Sequence, residues 1–243
     1  MSSLATLRTL QLPLISAIRR PRLWSQDCVL CLAGAGDELV CAACAEGLGG
    51  LPRSCPACAL PLPVGMVCAG CRRHPYAFDA AVARFEYRFP LDRLVQRFKY
   101  AGDLALGRWL ALRLAERVRD LPRPDLLVAP PLAAQRLRER GFNQSVELAR
   151  VVGRSLGVRH EPAGLRRARA TAPQAGLGRR ARQANLRGAF ACRRSFQGLH
   201  VAIVDDVMTT GATAHTLARV LKAAGAARVS AWTVARAPDV PRR

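Results

Sequence analysis

Residues 200–216 read HVAIVDDVMTTGATAHT, and this stretch decides the predicted fold. The apolar run at 201–204 is typical of a buried strand, and it leads directly into the acids Asp205 and Asp206. Gly211 follows in a short polar segment, where it permits a positive φ and a close approach of the backbone to a ligand. The stretch therefore predicts a strand, a tight turn and a helix, with two carboxylates just before the turn.

This arrangement suits a ribose 5-phosphate. Backbone N–H groups at the turn and the positive end of the helix dipole bind phosphate, and the threonine hydroxyls add donors. The two carboxylates can accept hydrogen bonds from vicinal sugar hydroxyls or hold a divalent cation. The predicted site comprises Asp205, Asp206, Thr209, Thr210, Gly211, Ala212 and Thr213, with Asp205 and Asp206 as the candidate catalytic groups. The alternative is a plain strand–turn–helix in which a threonine caps the helix and both acids are solvated.

Strand-like and helix-like segments alternate from Pro75 onward. Continuous apolar strands that alternate with helices predict a parallel sheet covered on both faces, with ligands beyond the carboxyl ends of the strands. The predicted strands are 80–87, 125–129, 201–204 and 227–235, and the predicted helices are 91–98, 104–119, 143–156 and 213–224.

Eight of the nine cysteines form four CxxC pairs, which are Cys28/Cys31, Cys41/Cys44, Cys55/Cys58 and Cys68/Cys71. Two such pairs complete a tetrahedral sulfur site, which suits zinc in a closed, structural role. Consecutive pairs predict two sequential zinc sites, although a cross-braced pairing is also compatible with the spacing. A disulfide framework is the alternative, and it requires an oxidising compartment. The ninth cysteine, Cys192, is interpreted as a small buried hydrophobe rather than a nucleophile.

The composition excludes wholesale disorder, because half of the 243 residues are hydrophobic. The formal net charge is +21, and only Lys99 and Lys222 among the 38 basic residues are lysines. A cationic surface favours phosphates, nucleic acid or anionic membrane, but GC-rich coding alone also enriches arginine. Residues 1–75 carry a net charge of +3, so +18 belongs to the remainder.

The amino-terminal residues 1–22 predict a short amphipathic helix. Arg8 and Pro13 interrupt it, and it is too short to span a bilayer. Arginines follow the apolar run instead of preceding it, which argues against a secretory signal. We therefore expect a cytoplasmic protein without a membrane span.

Residues 203–213 resemble the phosphoribosyl pyrophosphate (PRPP) motif of type I phosphoribosyltransferases, in which two acids precede a Thr-x-Gly-x-Thr turn. Three further stretches are KYAGD at 99–103, RLRERGFNQSVELA at 136–149 and RARATAPQAGLGRRARQAN at 167–185. Together with the cysteine repeat, they resemble the ComF family, which is linked to natural competence and DNA uptake. The positions that match are Arg140, Gly141, Phe142, Asn143, Gln144, Arg167, Arg169, Thr171, Gln174 and Asn185. One departure is Ala-Pro-Pro at 129–131, where the family usually has Pro-Val-Pro.

The resemblance implies a type I phosphoribosyltransferase-like α/β domain over 76–238, preceded by a double zinc ribbon over 25–75. It also implies Mg²⁺ bound with PRPP, and a mobile loop before the PRPP strand that closes over the site. The candidates for the pyrophosphate side are Arg136, Arg140, Arg167 and Arg169. A solvated basic face and a track for the phosphates of single-stranded DNA remain alternatives for these arginines.

The favoured hypothesis is a ComF-like competence protein that binds PRPP and assists in handling incoming single-stranded DNA, with proteins of the competence machinery as further partners. A second hypothesis is a nucleobase phosphoribosyltransferase of nucleotide salvage, a transferase. A third is a non-enzymatic DNA-binding protein whose sugar-phosphate site is vestigial or regulatory. The acceptor base distinguishes the hypotheses, because the sequence shows a PRPP half-site without a recognisable base-binding segment.

Overall fold

The structure is a computed structural model, and it describes residues 26–51, 53–62, 66–169 and 188–238. The chain divides into two compact units, Met1–Cys41 and Ala42–Arg243. In the first unit, strands β1 (Gln26–Asp27) and β2 (Gly34–Gly36) form a short antiparallel hairpin. The predicted helix at 1–22 lies outside the described residues.

The cysteine-rich region is an internal repeat with an offset of 27 residues, because each cysteine of the first group has its counterpart 27 positions later. The pairing of Asp27 with Gly34 in the first copy is matched by the pairing of Ser54 with Pro61 in the second. A short helix follows each hairpin at the same offset. These helices are α1 (Ala42–Gly47) and α2 (Ala69–Arg73).

Each copy of the repeat also bends in the same way after its first CxxC pair. Leu32 and the equivalent Ala59 both have a left-handed backbone, with φ of 62° and 55°. Their amides donate to the carbonyl oxygens of Cys28 and Cys55, at 2.9 and 2.7 Å. The repeated spacing of the cysteines is therefore accompanied by a repeated backbone conformation.

A parallel five-stranded sheet forms the centre of the second unit, in the order β3-β9-β8-β4-β5. Its strands are β3 (Ala80–Glu86), β4 (Leu126–Val128), β5 (Arg159–His160), β8 (His200–Met208) and β9 (Arg228–Arg236). A separate antiparallel pair is formed by β6 (Leu165–Arg167) and β7 (Phe190–Cys192). The helices of this unit are α3 (Leu91–Ala101), α4 (Leu104–Val118), α5 (Ala134–Arg140), α6 (Gln144–Leu156) and α7 (Ala212–Ala223).

The central strands are buried runs, as a sheet covered on both faces requires. Every residue of β4 is buried, and every residue of β9 except the first is buried. One large apolar cluster joins this sheet to α7 and to the second copy of the cysteine repeat, through residues such as Ile203, Leu217 and Ala59. The predicted fold class, a parallel α/β sheet flanked by helices and preceded by a cysteine-rich module, is confirmed.

Several elements differ from the sequence prediction, which did not include the short strands β5, β6 and β7. Strand β8 does not end at Val204 but continues to Met208, because its pairing with β9 runs on as far as Met208 and Arg236. Helix α5 was not predicted, since its sequence AQRLRER has no apolar stripe and none of its residues is buried. Among the helices of the described residues, none has both the length and the apolar character needed to cross a bilayer.

Candidate functional site

The two acids of the motif lie inside strand β8, close to its carboxyl end. Asp205 pairs in register with Thr233 of β9, so the ladder holds the backbone at the position of the carboxylates. The chain then turns through Thr209, Thr210 and Gly211, and α7 begins at the next residue. The strand therefore fixes the carboxylates, and the turn fixes the start of the helix beside them.

Gly211 is required in this turn for two reasons. Its φ is 70°, in the left-handed region that side chains rarely adopt. A Cβ at this position would also lie 2.9 Å from the ring of Tyr76. The backbone consequently approaches closely here, and the amides at the start of α7 remain available to an anion. The residues that line the concave surface include Asp205, Thr209, Thr210, Gly211, Ala212 and Thr213, which are six of the seven predicted site residues.

Asp206, the seventh, is buried and paired with a cation from α3. Its Oδ1 lies 3.0 Å from Nζ of Lys99. Although burial opposes the charge of Lys99, Asp206 raises the pKa of this ammonium group. The other oxygen, Oδ2, is buried and accepts no hydrogen bond from the part of the chain that the structure describes. One acceptor of Asp206 is therefore left for a further donor.

Asp205 contacts a different helix, α6, through a side-chain hydrogen bond. Ser145, in the first turn of α6, donates from Oγ to Oδ1 of Asp205 at 2.7 Å. Burial and the neighbouring carboxylate of Asp206 raise the pKa of Asp205 to about 7. Near neutral pH this carboxyl group is thus both a donor and an acceptor, whereas Asp206 is ion-paired. Such a pair of unlike carboxyl groups can bind adjacent hydroxyls of a sugar.

The predicted arginines fall on three elements. Arg136 and Arg140 lie on α5, Arg167 lies on β6 and Arg169 follows that strand. Burial lowers the pKa of Arg167, and the charge of Arg136 lowers it further. Arg140 lies over the ring of Tyr100, with 5.0 Å from its Cζ to the ring centroid.

The turn after β4 connects these elements to the carboxyl edge of the sheet. Asn143 caps α6 and donates from Nδ2 to the carbonyl oxygen of Pro130 at 3.0 Å. Arg167 points Nη1 toward the carbonyl oxygen of Pro131 at 3.5 Å. The Ala-Pro-Pro departure is therefore the segment that these two side chains contact. The predicted mobile loop and its Thr171, Gln174 and Asn185 lie within 170–187, outside the described residues.

The eight cysteines of the CxxC pairs gather into the two groups expected for sequential sites. Cys28, Cys31, Cys41 and Cys44 form one group, and Cys55, Cys58, Cys68 and Cys71 form the other. Within each group the ligand atoms lie within 4.8 Å of one another. The sulfur atoms of Cys31 and Cys41 are 3.7 Å apart, and those of Cys58 and Cys68 are 3.8 Å apart.

These distances fit zinc. Four sulfurs at about 2.3 Å from a tetrahedral zinc ion are about 3.8 Å apart, whereas a disulfide brings two sulfurs to about 2.0 Å. Backbone amides also point at the ligands, from Cys41 to Sγ of Cys28 at 3.4 Å and from Cys68 to Sγ of Cys55 at 3.3 Å. The arrangement suits two structural ions and excludes the disulfide alternative in this structure. Cys192, which was predicted to be buried, packs against the core of the second unit but is only half-buried.

Comparison with known proteins identifies the relatives. The chain is 36% identical to "DNA utilization protein YhgH" of Salmonella typhi over 204 residues, which are 81% of this chain and 90% of that protein. It is 32% identical to "Competence protein F" of Haemophilus influenzae over 70% of this chain and 78% of that protein. The chain belongs to the ComF family. Another ComF relative, "Competence protein ComFC" of Bacillus subtilis, is 29% identical over 82% of this chain and 85% of its own length.

No family model matches the chain. Among solved structures, "Structure of the allosteric regulatory enzyme of purine biosynthesis" matches with a TM-score of 0.41 and 18% identity, over 57% of this chain and 30% of that one. A purine phosphoribosyltransferase from Pyrococcus horikoshii matches with a TM-score of 0.37 and 18% identity, over 56% of this chain and 77% of that one. The fold of this ComF protein is defined by its own sheet order and strand register.

Sequence reasoning missed four residues of this ComF site. Lys99 lies within KYAGD and Ser145 within RGFNQSVELA, but the sequence does not predict that either residue contacts a carboxylate. Arg236 and Tyr76, which contact the backbone of the turn, were not singled out at all. A signal existed for Lys99, since lysine is rare in this chain. None existed for Tyr76, whose partner Thr210 is 134 positions away.

Proposed function

We propose that this ComF-family protein binds PRPP at the carboxyl end of β8 and acts in handling incoming single-stranded DNA during natural transformation. The observation that carries the proposal is the continuous path from two unlike carboxyl groups to a glycine turn and a helix start. The proposal keeps the double zinc ribbon at 25–75 and the phosphoribosyltransferase-like domain at 76–238.

The 5-phosphate of the ligand is proposed to bind at the turn. Gly211 leaves room for it, and the amides at the start of α7 supply donors that the helix does not itself use. The hydroxyls of Thr209, Thr210 and Thr213 lie around the same concave surface. Phosphate at this place would also interact favourably with the positive end of the helix dipole.

The ribose is proposed to bind to the two acids. The buried Oδ2 of Asp206 is an acceptor that lacks a donor within the described residues, and a sugar hydroxyl would supply one. Asp205 offers a second contact on the lining of the site. Lys99 contacts only Oδ1 of Asp206, at 3.0 Å, so the ion pair does not occupy the oxygen that the ribose hydroxyl would reach.

The pyrophosphate is proposed to lie toward the turn after β4, where Arg167 and Arg136 supply positive charge. PRPP is expected to carry Mg²⁺ on this group, and the carboxylates are the oxygen ligands at hand if the ion also contacts the protein. Charge stabilisation of a departing pyrophosphate is the chemistry that such a site would supply, if an acceptor base is bound. Arg140 and Arg169 are retained as candidates for the same role.

The family and the positive charge of the chain support the proposed role in DNA handling. Two relatives carry competence in their names and one carries DNA utilization, and residues 76–243 hold a net charge of +18. Single-stranded DNA bound by such a surface should dissociate steeply as salt is raised. Binding that is absent, or that does not change with salt, would remove this part of the proposal.

The test of the PRPP site is calorimetry with PRPP and Mg²⁺. We expect Asp206→Asn to weaken binding by at least about tenfold, since an amide is a weaker acceptor and leaves Lys99 unpaired. Asp205→Asn should weaken binding less, because Asp205 is partly protonated near neutral pH. Asp120→Asn, at an exposed position after α4, is the matched control and should bind as the wild type does.

No PRPP binding by the wild type would contradict the proposal. The same samples, assayed for pyrophosphate release with a panel of nucleobases, separate an enzyme from a binding protein. Turnover with one base would favour the salvage phosphoribosyltransferase, and binding without turnover would favour a regulatory sugar-phosphate site.

A further inference from the structure

Arg236, the last residue of β9, is a buried arginine that donates to backbone carbonyl oxygens. Its Nε donates to the carbonyl oxygen of Cys58 at 2.9 Å. Its Nη1 donates to the carbonyl oxygen of Met208 at 3.2 Å, and also to those of Thr209 and Ala237. A buried guanidinium group needs such partners, because charge without hydrogen bonds is strongly unfavourable away from water.

The two sides of this guanidinium group serve different parts of the molecule. Cys58 is a predicted ligand in the second cysteine group, whereas Met208 and Thr209 are the residues through which β8 enters the turn. The guanidinium group therefore bridges two regions. One is the turn at 55–58 that carries Cys55 and Cys58, called the knuckle below, and the other is the backbone of the proposed PRPP site. The fork geometry of arginine allows this, since its donors point in fixed and different directions.

Tyr76 makes a second connection between the same two regions. Its hydroxyl donates to the carbonyl oxygen of Thr210 at 2.9 Å, and its ring lies against the position of Gly211. Tyr76 also packs against the buried cluster that Cys55, Cys58 and Cys71 form in the second group. The ring also stacks on Phe78, with 4.7 Å between the ring centroids. Packing against Phe78 and the cysteine cluster thus fixes the Tyr76 side chain, whose hydroxyl contacts the turn.

The knuckle itself is fixed to the sheet. The amide of Ala81, in edge strand β3, donates to the carbonyl oxygen of Pro56 at 3.0 Å. Ala59, immediately after Cys58, is fully buried in the same apolar cluster as the core strands. The carbonyl oxygens of the knuckle can therefore serve as fixed points for side chains that reach the turn.

We propose that the second cysteine site is a positioning element for the PRPP turn, and that Arg236 and Tyr76 are the positioning residues through which it acts. The identity of the ligand in this inference rests on the proposed function. The coupling between the second cysteine site and the turn does not. A metal held by Cys55, Cys58, Cys68 and Cys71 would fix the carbonyl oxygen of Cys58. Loss of the metal would release that acceptor, and the turn would lose the support of Arg236.

The test compares Arg236→Lys with Arg228→Lys. Lysine at 236 keeps the charge but presents a single nitrogen, so it cannot bridge the knuckle and the turn together. Arg228 is the exposed first residue of the same strand and provides the matched control. Hydrogen exchange of residues 205–215, followed by mass spectrometry, reports on the turn without any ligand, and zinc content is measured on the same samples.

We expect Arg236→Lys to retain two zinc ions and to exchange the turn amides about tenfold faster, with unchanged exchange in the central strands. Chelation of zinc from the wild type should speed exchange in the same peptide. PRPP affinity should fall by about tenfold in Arg236→Lys and should not change in Arg228→Lys. Tyr76→Phe, which removes only the hydroxyl, should increase the exchange rate of the turn amides by a smaller factor than Arg236→Lys does.

Two results would overturn the inference. One is unchanged exchange of the turn in both the Arg236→Lys variant and the chelated protein. The other is faster exchange across the whole sheet, which would make Arg236 a stabilising residue without a specific effect on the turn. If Arg236→Lys does not fold, the exchange rates of the turn amides in Tyr76→Phe and in the chelated wild type decide whether the cysteine site positions the turn. A wild type that shows faster turn exchange on chelation but no PRPP binding would refute the proposed function and leave the coupling intact.

Discussion

The two copies of the cysteine repeat share a backbone but not an environment. In the first copy Cys31 is exposed, and Leu32 has 77% of its surface in contact with solvent. In the second copy the equivalent Cys58 and Ala59 are buried, at 2% and 0%. The same cysteine spacing thus gives a solvent-exposed segment in the first copy. In the second copy it gives a segment that is buried in the α/β core. Cysteine spacing specifies the metal site, and the residues between the cysteines specify what surrounds it.

The largest expected effect is on thermal stability. Cys58→Ser removes a ligand from the buried site, and Cys31→Ser removes the equivalent ligand from the exposed one. Because the second site is packed into the core, we expect Cys58→Ser to lower the unfolding midpoint by about 10 °C more than Cys31→Ser. Calorimetry measures both midpoints, and native mass spectrometry should show one zinc ion in each variant. Equal midpoints would mean that burial does not distinguish the two copies.

An intermediate effect is expected on the release of metal. With a chromogenic chelator in excess, zinc should leave the folded protein in two phases that differ by at least about tenfold in rate, because exchange at a buried site requires local opening. The fast phase should belong to the group that contains the exposed Cys31. It should therefore be missing in Cys31→Ser and present in Cys58→Ser, and the reverse pattern would contradict the comparison.

The smallest effect concerns the left-handed residue after each first pair. A residue with a side chain in this conformation costs about 1 kcal/mol relative to glycine. Leu32→Gly should therefore stabilise the first copy by about 1 kcal/mol, since its exposed side chain loses little on removal. Ala59→Gly should be close to neutral, because the lost burial of its methyl group offsets the gain. Chemical denaturation of the zinc-loaded variants measures both, and equal gains would show that burial of Ala59 contributes nothing.

The motif at 200–216 was enough to predict the strand, the turn and the helix, because all three depend on local pattern. The end of β8 was placed four residues too early. The apolar run stops at Val204, but hydrogen bonds to β9 carry the strand through both acids. Polar residues inside a strand cannot be recognised from hydrophobicity when a ligand site requires them there.

The contacts that hold the site were beyond sequence reasoning for a different reason. Ser145 and Asp205 are 60 positions apart, and Arg236 and Cys58 are 178 apart. No periodicity connects such residues, since only the folded sheet brings them together. The cysteine groups were predictable despite their separation, because ligand spacing for a tetrahedral ion is itself a local rule.

The scarcity of lysine in this chain bears on why a lysine, and not an arginine, pairs with Asp206. Arginine provides all but two of the 38 basic residues, and each lysine pairs with an aspartate: Lys99 with Asp206 at 3.0 Å and Lys222 with Asp79 at 2.6 Å. The planar fork of an arginine matches both oxygens of a carboxylate, whereas an ammonium group is a point charge. Lys99 therefore pairs with Oδ1 of Asp206 and leaves Oδ2 without a donor among the described residues. An arginine at this position could contact both oxygens.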